Sequence, residues 1–553
     1  NLRMIICKEI NDYIEYAKQH PKWINKDRKL LIKNIVKPLL KRKDVLFDED
    51  TYRKCLAFCE KNYYPLFPFQ KFIYAFVFMY KDDRPVFPKI FMMMGRGNGK
   101  DGLMVPLANF LQTPLYGVKN YHIELVANSE QQIKDTFAVA YDEMSLPKWR
   151  GKFKVTKEEI KNLSTGSVLR YNTSNSSTKD GKRPGCIFFN ELHAYVNYDT
   201  INVFESAMGK VKHPREIIIT TQGYVREGPL DELLDQCTAI LESGENPTGI
   251  FPFICRLDDE KEIDNEESWH KANPSMEYMP ILAQQIKADY IDMKMLPSKR
   301  AEFVTKRMNL PDRNEEETVT SWNNILRCCY DDIKLKTLRQ TNEQKGKNAI
   351  IGIDYADVRD FASAGILTKD GDEYVFRQHT WICSESPFLS KIKFPLSKAG
   401  MEEFKDFEIV YAPTIPIDDM IRWVRDRMSE YNVVKIAMDT YRYEYFKQMF
   451  IQEGISIESR QDPDGLVRLI RRLGSAMGII APAIEAEFAQ GNINFGQSAI
   501  MRWYTNNTCV LTDKYGNKAY GKIEPKLRKN DGFMAFLVAF FCRDLLDEAV
   551  IYI

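Results

Sequence analysis

The stretch Phe91-Met92-Met93-Met94-Gly95-Arg96-Gly97-Asn98-Gly99-Lys100-Asp101 constrains the fold of this chain more than any other. A run of large apolar residues feeds a glycine-rich turn that ends in Gly-Lys, as a strand does when it enters a phosphate-binding loop. Glycines at 95, 97 and 99 let backbone N–H groups converge on phosphate oxygens. The helix that follows turns its positive N-terminus toward them, and Lys100 adds a full charge. The common form of such a loop is G-x-x-x-x-G-K followed by Ser or Thr. Here Met94 stands in place of the first glycine and Asp101 in place of the magnesium-binding hydroxyl, so the segment also reads as an ordinary surface turn. The surrounding sequence has to decide between the two.

Upstream, residues 1–62 carry apolar residues at three- and four-residue spacing and predict a helical preface. Two prolines then shape Tyr64-Pro65-Leu66-Phe67-Pro68-Phe69-Gln70 before an apolar helix over 72–80. The Gln70 amide both donates and accepts, which suits adenine, with Phe67 or Phe69 packing on the ring; equally, Gln70 caps the helix. After the loop, 101–112 should be helical, against which Gly102 and Pro106 speak. His122–Ala127 reads as a strand leading into a helix through Met144. Gly185–Phe189 is an apolar strand that ends in Asn190-Glu191, where phosphate-loop enzymes place Asp-Glu, the Asp on magnesium and the Glu orienting the attacking water. A further apolar strand, 216–220, runs into Thr221-Gln222-Gly223, at the sheet edge where phosphate can be sensed. An adenine-type Gln, a glycine loop, a strand with Glu and a strand with Thr-Thr-Gln-Gly follow each other within one domain's length.

The chain has 553 residues, enough for two or three domains. No apolar run approaches a membrane span and no secretory leader is seen, so a cytoplasmic protein is expected. Eleven cysteines without a C-x-x-C pair, set apart from the six histidines, support neither a disulfide framework nor a zinc site and predict reduced core residues. A net charge of +1 excludes a broad basic field, leaving local clusters at Lys299-Arg300, Arg468 with Arg471-Arg472, and Lys526 with Arg528-Lys529.

Residues 226–345 are acidic and weakly periodic, with helical spacing at 279–295 and 300–310, a polar crossing at 311–317 and a second polar stretch at 334–347. These boundaries give a helical preface over 1–62, a nucleotide domain with connector over 63–325, a linker over 326–347 and a second domain over 348–553. The second domain opens with a strand ending in Asp354, followed by two more strands that suggest an antiparallel meander. Strand 433–438 ends in Asp439 before a helix over 441–450. A hairpin over 509–523, turned at Tyr515-Gly516-Asn517, precedes Lys529-Asn530-Asp531 and an apolar helix over 532–546. An Asp at a strand end often forms a turn, and Asp531 is a good helix cap. Three carboxylates, each at the polar end of an apolar element, can also meet at one sheet edge and hold two divalent metals that stabilise a phosphodiester displacement.

Taken with YPLFPFQKF (64–72), RGNGK (96–100), FFNELHA (188–194), TTQG (220–223), IGIDYADVRD (351–360), AMDT (437–440) and KNDGFMAFLVAF (529–540), the chain resembles the large terminase subunits of tailed bacteriophages. These join an ATPase to a nuclease of ribonuclease H type. The resemblance implies an α/β fold: a P-loop ATPase domain with a parallel-rich central sheet and a C-terminal ribonuclease H-like mixed α/β nuclease domain. It implies ATP-driven packaging of double-stranded DNA into procapsids and metal-dependent cleavage of the concatemer, with ATP and Mg²⁺, or Mn²⁺ at the nuclease site. Gly95, Arg96, Gly97, Asn98, Gly99, Lys100, Asp101 and Asn190 would hold the nucleotide with Gln70, and Arg96 would act near the γ-phosphate. Glu191 would be the ATPase base and Thr220, Thr221, Gln222 and Gly223 the coupling segment. Asp354, Asp439 and Asp531 would be the nuclease metal ligands, with Asp360 as a secondary candidate. The implied partners are duplex DNA, a small terminase subunit, the portal ring and further copies of the chain in a ring on the procapsid. No membrane is implied; the place of action is the host cytoplasm and not the mature virion.

Two residues depart from the family pattern, Asp101 for Ser or Thr and Asn190 for Asp. Either Asp101 holds magnesium while Asn190 hydrogen-bonds it, keeping one carboxylate and avoiding repulsion between two, or ATPase activity is weak or lost. A helicase-nuclease of DNA repair and a DNA-binding scaffold with an inactive ATPase are the competing readings.

Overall fold

The computed structural model describes residues 5–173, 183–195, 198–226, 228–296, 299–311, 318–342, 344–355, 360–387, 389, 392, 394, 406–471, 473–512, 518–522 and 528–547. Most of the polar crossing at 311–317, the hairpin turn at 515–517, Arg472 and Lys526 lie outside the described residues. The chain divides into two compact units, Asn1–Asp312 and Arg313–Ile553.

The first unit is built on an eight-stranded sheet. Its strands in chain order are β1 (Lys89–Met93), β2 (His122–Ala127), β3 (Phe153–Val155), β4 (Glu159–Asn162), β5 (Val168–Thr173), β6 (Pro184–Asn190), β7 (Arg215–Thr220) and β8 (Ile250–Ile254). They lie in the order β8-β1-β7-β6-β2-β5-β4-β3. The pairs from β8 to β5 are parallel, and β4 and β3 extend the sheet antiparallel. Strands β6, β7 and β8 are buried along their whole length, as expected of a parallel sheet covered on both faces. The consequence for function is the insertion of β7 between β1 and β6. Thr220 pairs with Met93 and Ile219 with Asn190, so three carboxyl-terminal strand ends lie side by side.

Helices Lys8–Gln19, Lys26–Leu30 and Glu49–Asn62 form the preface. Tyr13 stacks on Phe72 at 4.3 Å between centroids and ties it to helix Pro68–Val77. That helix begins and ends earlier than its apolar run predicts. Pro68 fits the first turn, where its missing N–H costs nothing, and Met79–Lys81 leaves to pair as a strand. Helix Lys100–Leu111 runs through Pro106 despite the lost hydrogen bond, and a Cβ at its Gly102 would stand 2.4 Å from the Tyr64 hydroxyl. None of the eleven cysteines is in a disulfide, and all but Cys509 are buried.

The second unit carries a seven-stranded mixed sheet. It comprises β9 (Asn348–Tyr355), β10 (Phe361–Asp370), β11 (Glu373–Cys383), β12 (Phe407–Val410), β13 (Asn432–Asp439), β14 (Val467–Ile470) and β15 (Ile493–Asn494). The order is β12-β11-β10-β9-β13-β14, with β15 beside β11. β9, β10 and β11 form the expected antiparallel meander, and β13 joins β9 in parallel. Because side chains alternate across a strand, Ile350 of β9 joins one core with Phe533, Phe536 and Phe540 of helix Asp531–Phe541. Ile351 and Ile353 join the other with Val424 and Phe446 from helices Ile417–Glu430 and Tyr443–Gln452. The last helix is shorter than expected, giving way after Phe541 to a 3₁₀ turn over Arg543–Leu546, and the helix after β13 starts at Tyr443 rather than 441.

Gly352 sets the approach of helix Asp531–Phe541 to β9, since a Cβ there would meet the Ala535 carbonyl oxygen at 2.0 Å. Backbone cannot step aside as a side chain can. We expect Gly352→Ala to destabilise the second unit by about 1–3 kcal/mol in denaturant unfolding. An unchanged unfolding midpoint would show that the helix is not held at this distance.

Candidate active sites

The glycine loop leaves the end of β1 with Gly97 (φ 90°) and Gly99 (φ 71°) in left-handed backbone that favours glycine. Its entry is clamped from outside. Gly95 N–H donates to the Ala272 carbonyl at 2.9 Å and Arg96 N–H to the Lys306 carbonyl at 2.7 Å. Buried Asn98 donates to the Gly95 carbonyl at 2.9 Å and to Asn273 Oδ1 at 2.7 Å. Lys100 opens the next helix and lies 3.5 Å from Glu191. Burial lowers the Lys100 ammonium, partly offset by Glu191 and Asp101. Arg96 turns outward onto Glu302 at 2.6 Å.

Asp101 and Asn190 do meet. Asn190 Nδ2 lies 3.4 Å from Asp101 Oδ1 and 3.4 Å from Thr136 Oγ1, and the Thr136 hydroxyl donates to Asp101 at 3.0 Å. A hydroxyl is therefore present beside the loop, supplied by helix Glu130–Met144 rather than by position 101. Burial raises the Asp101 carboxyl, against the hydrogen bond from Thr136 and the charge of Lys100. A second carboxylate at 190 would stand against Asp101 as a like charge.

Glu191 follows β6 in a left-handed conformation, φ 53°, an uncommon state for a non-glycine residue that is held by its surroundings. Its N–H donates to the Ile219 carbonyl at 2.8 Å, and its carboxylate faces Thr221 N–H at 3.4 Å and His193 Nδ1 at 2.9 Å. Burial alone would raise its pKa; Lys100 and His193 outweigh that and hold it well below the carboxylate range. His193 also lies 3.2 Å from the Thr220 hydroxyl and 3.3 Å from that of Thr221, and packs so closely on Gly223 that a Cβ there would meet it at 2.7 Å. Glu191 and residues 220–223 thus form one connected group. Gln222 N–H donates to Asn309 Oδ1 at 2.9 Å, and the Gln222 carbonyl accepts from Lys306 at 2.8 Å.

Gln70 is buried, and its side-chain oxygen accepts Phe67 N–H at 2.8 Å, the cap role. Phe67 stacks on half-buried Tyr278 at 4.9 Å, whereas Phe69 is core, packed on Phe253.

In the second unit the parallel pairing of Ile353 with Met438 brings Asp354 and Asp439 to one edge. They line a cleft of about 250 Å³ with Tyr355, Tyr441 and Arg442. Asp531 begins the last helix, fully buried. Burial and the charges of Asp531 and Asp439 raise the Asp354 carboxyl. Among the described residues neither oxygen of Asp531 has a hydrogen-bond donor, nor has Asp360 Oδ1. Two lysines stand among the acids: Lys522 of the hairpin strand Lys518–Lys522 lies 3.6 Å from Asp531, and Lys529 pairs with Asp360. Burial would lower the Lys522 ammonium, yet Asp531, Asp354 and Asp360 raise it. Buried carboxylate oxygens without donors fit cations. Among the described residues no three His, Cys, Asp or Glu side chains are grouped to hold a single ion.

Sequence reading missed Thr136, His193, Lys306, Asn309 and Lys522. His193 lies inside a motif singled out above; the others come from segments with no local signature.

Comparison with known proteins identifies the family of the chain. The family model "Terminase large subunit, ATPase domain" matches residues 68–238 and "Terminase large subunit, endonuclease domain" matches residues 247–540. The terminase large subunits of Lactococcus phages p2 and SK1 are each 22% identical, with 94% of this chain and 96% of each relative covered. The crystal structure of the HK97 bacteriophage large terminase aligns at a TM-score of 0.47 and 18% identity, over 90% of this chain and 100% of that one. Among the described residues no helix is long and apolar enough to cross a membrane. The chain belongs to the terminase large subunit family, with an ATPase domain and an endonuclease domain, the proteins that package and cut phage DNA.

Proposed function

We propose that Gly95–Asp101 holds the phosphates of ATP, with Lys100 on the terminal phosphates, Arg96 near the γ-phosphate and Gln70 on the base side. Glu191 orients the attacking water for in-line displacement. The observation that carries this reading is the contact between Lys100 and Glu191, which puts a phosphate-binding cation and a deprotonated carboxylate at one spot. Asp101 faces the nucleotide's magnesium, with Asn190 and Thr136 fixing its orientation. Residues 220–223 carry the change at Glu191 into the sheet through His193.

In the second unit Asp354, Asp439 and Asp531 hold the nuclease metals, Mg²⁺ or Mn²⁺, with Asp360 beside them. Such ions supply charge for the attacking and leaving oxygens of a phosphodiester. Lys522 and Lys529 balance the acids until then. The domain limits follow as a helical preface over 1–62, the ATPase with its connector over 63–325, a linker over 326–347 and a ribonuclease H-like nuclease over 348–553. In the host cytoplasm the protein works with double-stranded DNA, a small terminase subunit and the portal, as a ring of copies on the procapsid.

The full chain, supplied with procapsids, small subunit and duplex DNA, should make DNA resistant to added nuclease only with ATP. Asp101→Ser should lower both ATP turnover and this protection, and adding Asn190→Asp should restore part of each. The expected coupling is about 0.5–3 kcal/mol in a double-mutant cycle. Additive effects would remove the shared-magnesium assignment, and unwinding without protection would favour a helicase.

Asp354→Asn, Asp439→Asn and Asp531→Asn should each slow plasmid cleavage by about a hundredfold or more, while ATP turnover stays at the parental rate. Cleavage that persists in excess EDTA would overturn the metal assignment.

A further inference from the structure

Most charges around the glycine loop are matched. Arg96 pairs with Glu302 at 2.6 Å, Arg226 with Asp231 at 3.0 Å, and Lys100 with Glu191 at 3.5 Å. Lys306 differs. It is 6% exposed, donates to the Gln222 carbonyl at 2.8 Å and lies over the Tyr224 ring at 5.3 Å. Among the described residues its ammonium meets no carboxylate within ion-pair distance. Burial pushes it down to about 8, opposed by Glu191 and reinforced by Arg96, Lys100 and Arg226. A buried cation in such company is costly unless an anion joins it.

The position of Lys306 is set by the loop itself. Its carbonyl accepts Arg96 N–H at 2.7 Å, and the next residue, Arg307, donates to the Arg96 carbonyl at 2.6 Å while held by Asp289 at 2.8 Å. The π-helical turn Phe303–Arg307 is therefore fastened to the glycine loop by its backbone and to the coupling segment by the Lys306 side chain. An ammonium has three donors, and Gln222 uses one of them, leaving two.

We propose that Lys306 is a phosphate-contacting residue supplied in cis, whose ammonium bridges the terminal phosphate of a nucleoside triphosphate and the carbonyl of Gln222. This rests on the assignment of Gly95–Asp101 as the nucleotide loop and goes beyond it, since it makes Lys306 the group that tells triphosphate from diphosphate. With the terminal phosphate present, Lys306 spans from it to Gln222. Once that phosphate leaves, only the Gln222 end of the span remains, and the coupling segment loses its tie to the nucleotide.

The test is titration of the full chain with ATPγS and with ADP in magnesium. Lys306→Ala should weaken ATPγS by about tenfold or more while ADP changes by less than about twofold, and Lys306→Arg should recover much of the loss. If Lys306→Ala does not fold, Lys306→Met keeps the alkyl stem and the same ratio decides. An unchanged ATPγS-to-ADP ratio, or equal weakening of both nucleotides, would reduce Lys306 to a packing strut and overturn the proposal. Lys100→Ala separates this from the parent assignment: if it leaves both affinities at the parental level, the nucleotide loop itself is misplaced.

Discussion

The first unit depends on a contact between charges brought together by strand order. β7 lies between β1 and β6, so Lys100, at the start of the helix after β1, reaches across the end of β7 to Glu191 after β6. His193 and Thr221 N–H meet Glu191 directly, and His193 joins it to the Thr220 hydroxyl at the end of β7. A nearly buried ion pair is poor evidence of stability, because removing both charges from water offsets much of their attraction. Its expense is better understood as preparation. In the function proposed above, Lys100 is held next to a carboxylate that a phosphate would replace as its partner; Glu191 is held ionised in a conformation its backbone would not choose alone.

The two units solve opposite electrostatic problems. In the first, Lys306 is a buried cation that meets no carboxylate among the described residues, and Lys100 shares Glu191 with His193, an arrangement that favours anions. In the second, Asp531 is a buried carboxylate and Asp354 a half-buried one at the cleft, and lysines stand where further positive charge would be stabilised. Each site is intelligible from its excess of charge before any ligand is considered.

Much of this was legible in the sequence because it follows from local pattern. A glycine loop after an apolar strand, Asn190-Glu191 at the end of another, and Asp354 and Asp439 at strand ends are placed by the periodicity of the strands alone. The meander β9-β10-β11 follows from the same alternation. Helix limits were less legible: Pro106 argues against a helix that tertiary packing nevertheless completes, and Pro68 starts one where the apolar run begins later. Thr136, Lys306 and Lys522 were not legible at all. Thr136 and Lys306 reach their site from segments remote in sequence, Lys522 is one lysine in a hairpin just before Asp531, and a hydroxyl on a helix or a lysine in a π-turn carries no signature until the fold brings it there. Strand β14 was also hidden, since Arg468 within it reads as part of a basic cluster.

The account turns on whether the contact between Lys100 and Glu191 is a resting partnership that the nucleotide replaces. Calorimetric titration of magnesium and ATP into the full chain carrying Glu191→Gln decides this most directly. The account predicts affinity at least equal to the parent, because Lys100 no longer has to leave a charged partner, together with loss of turnover. Weaker binding by Glu191→Gln than by the parent would contradict it and make the pair a structural tie.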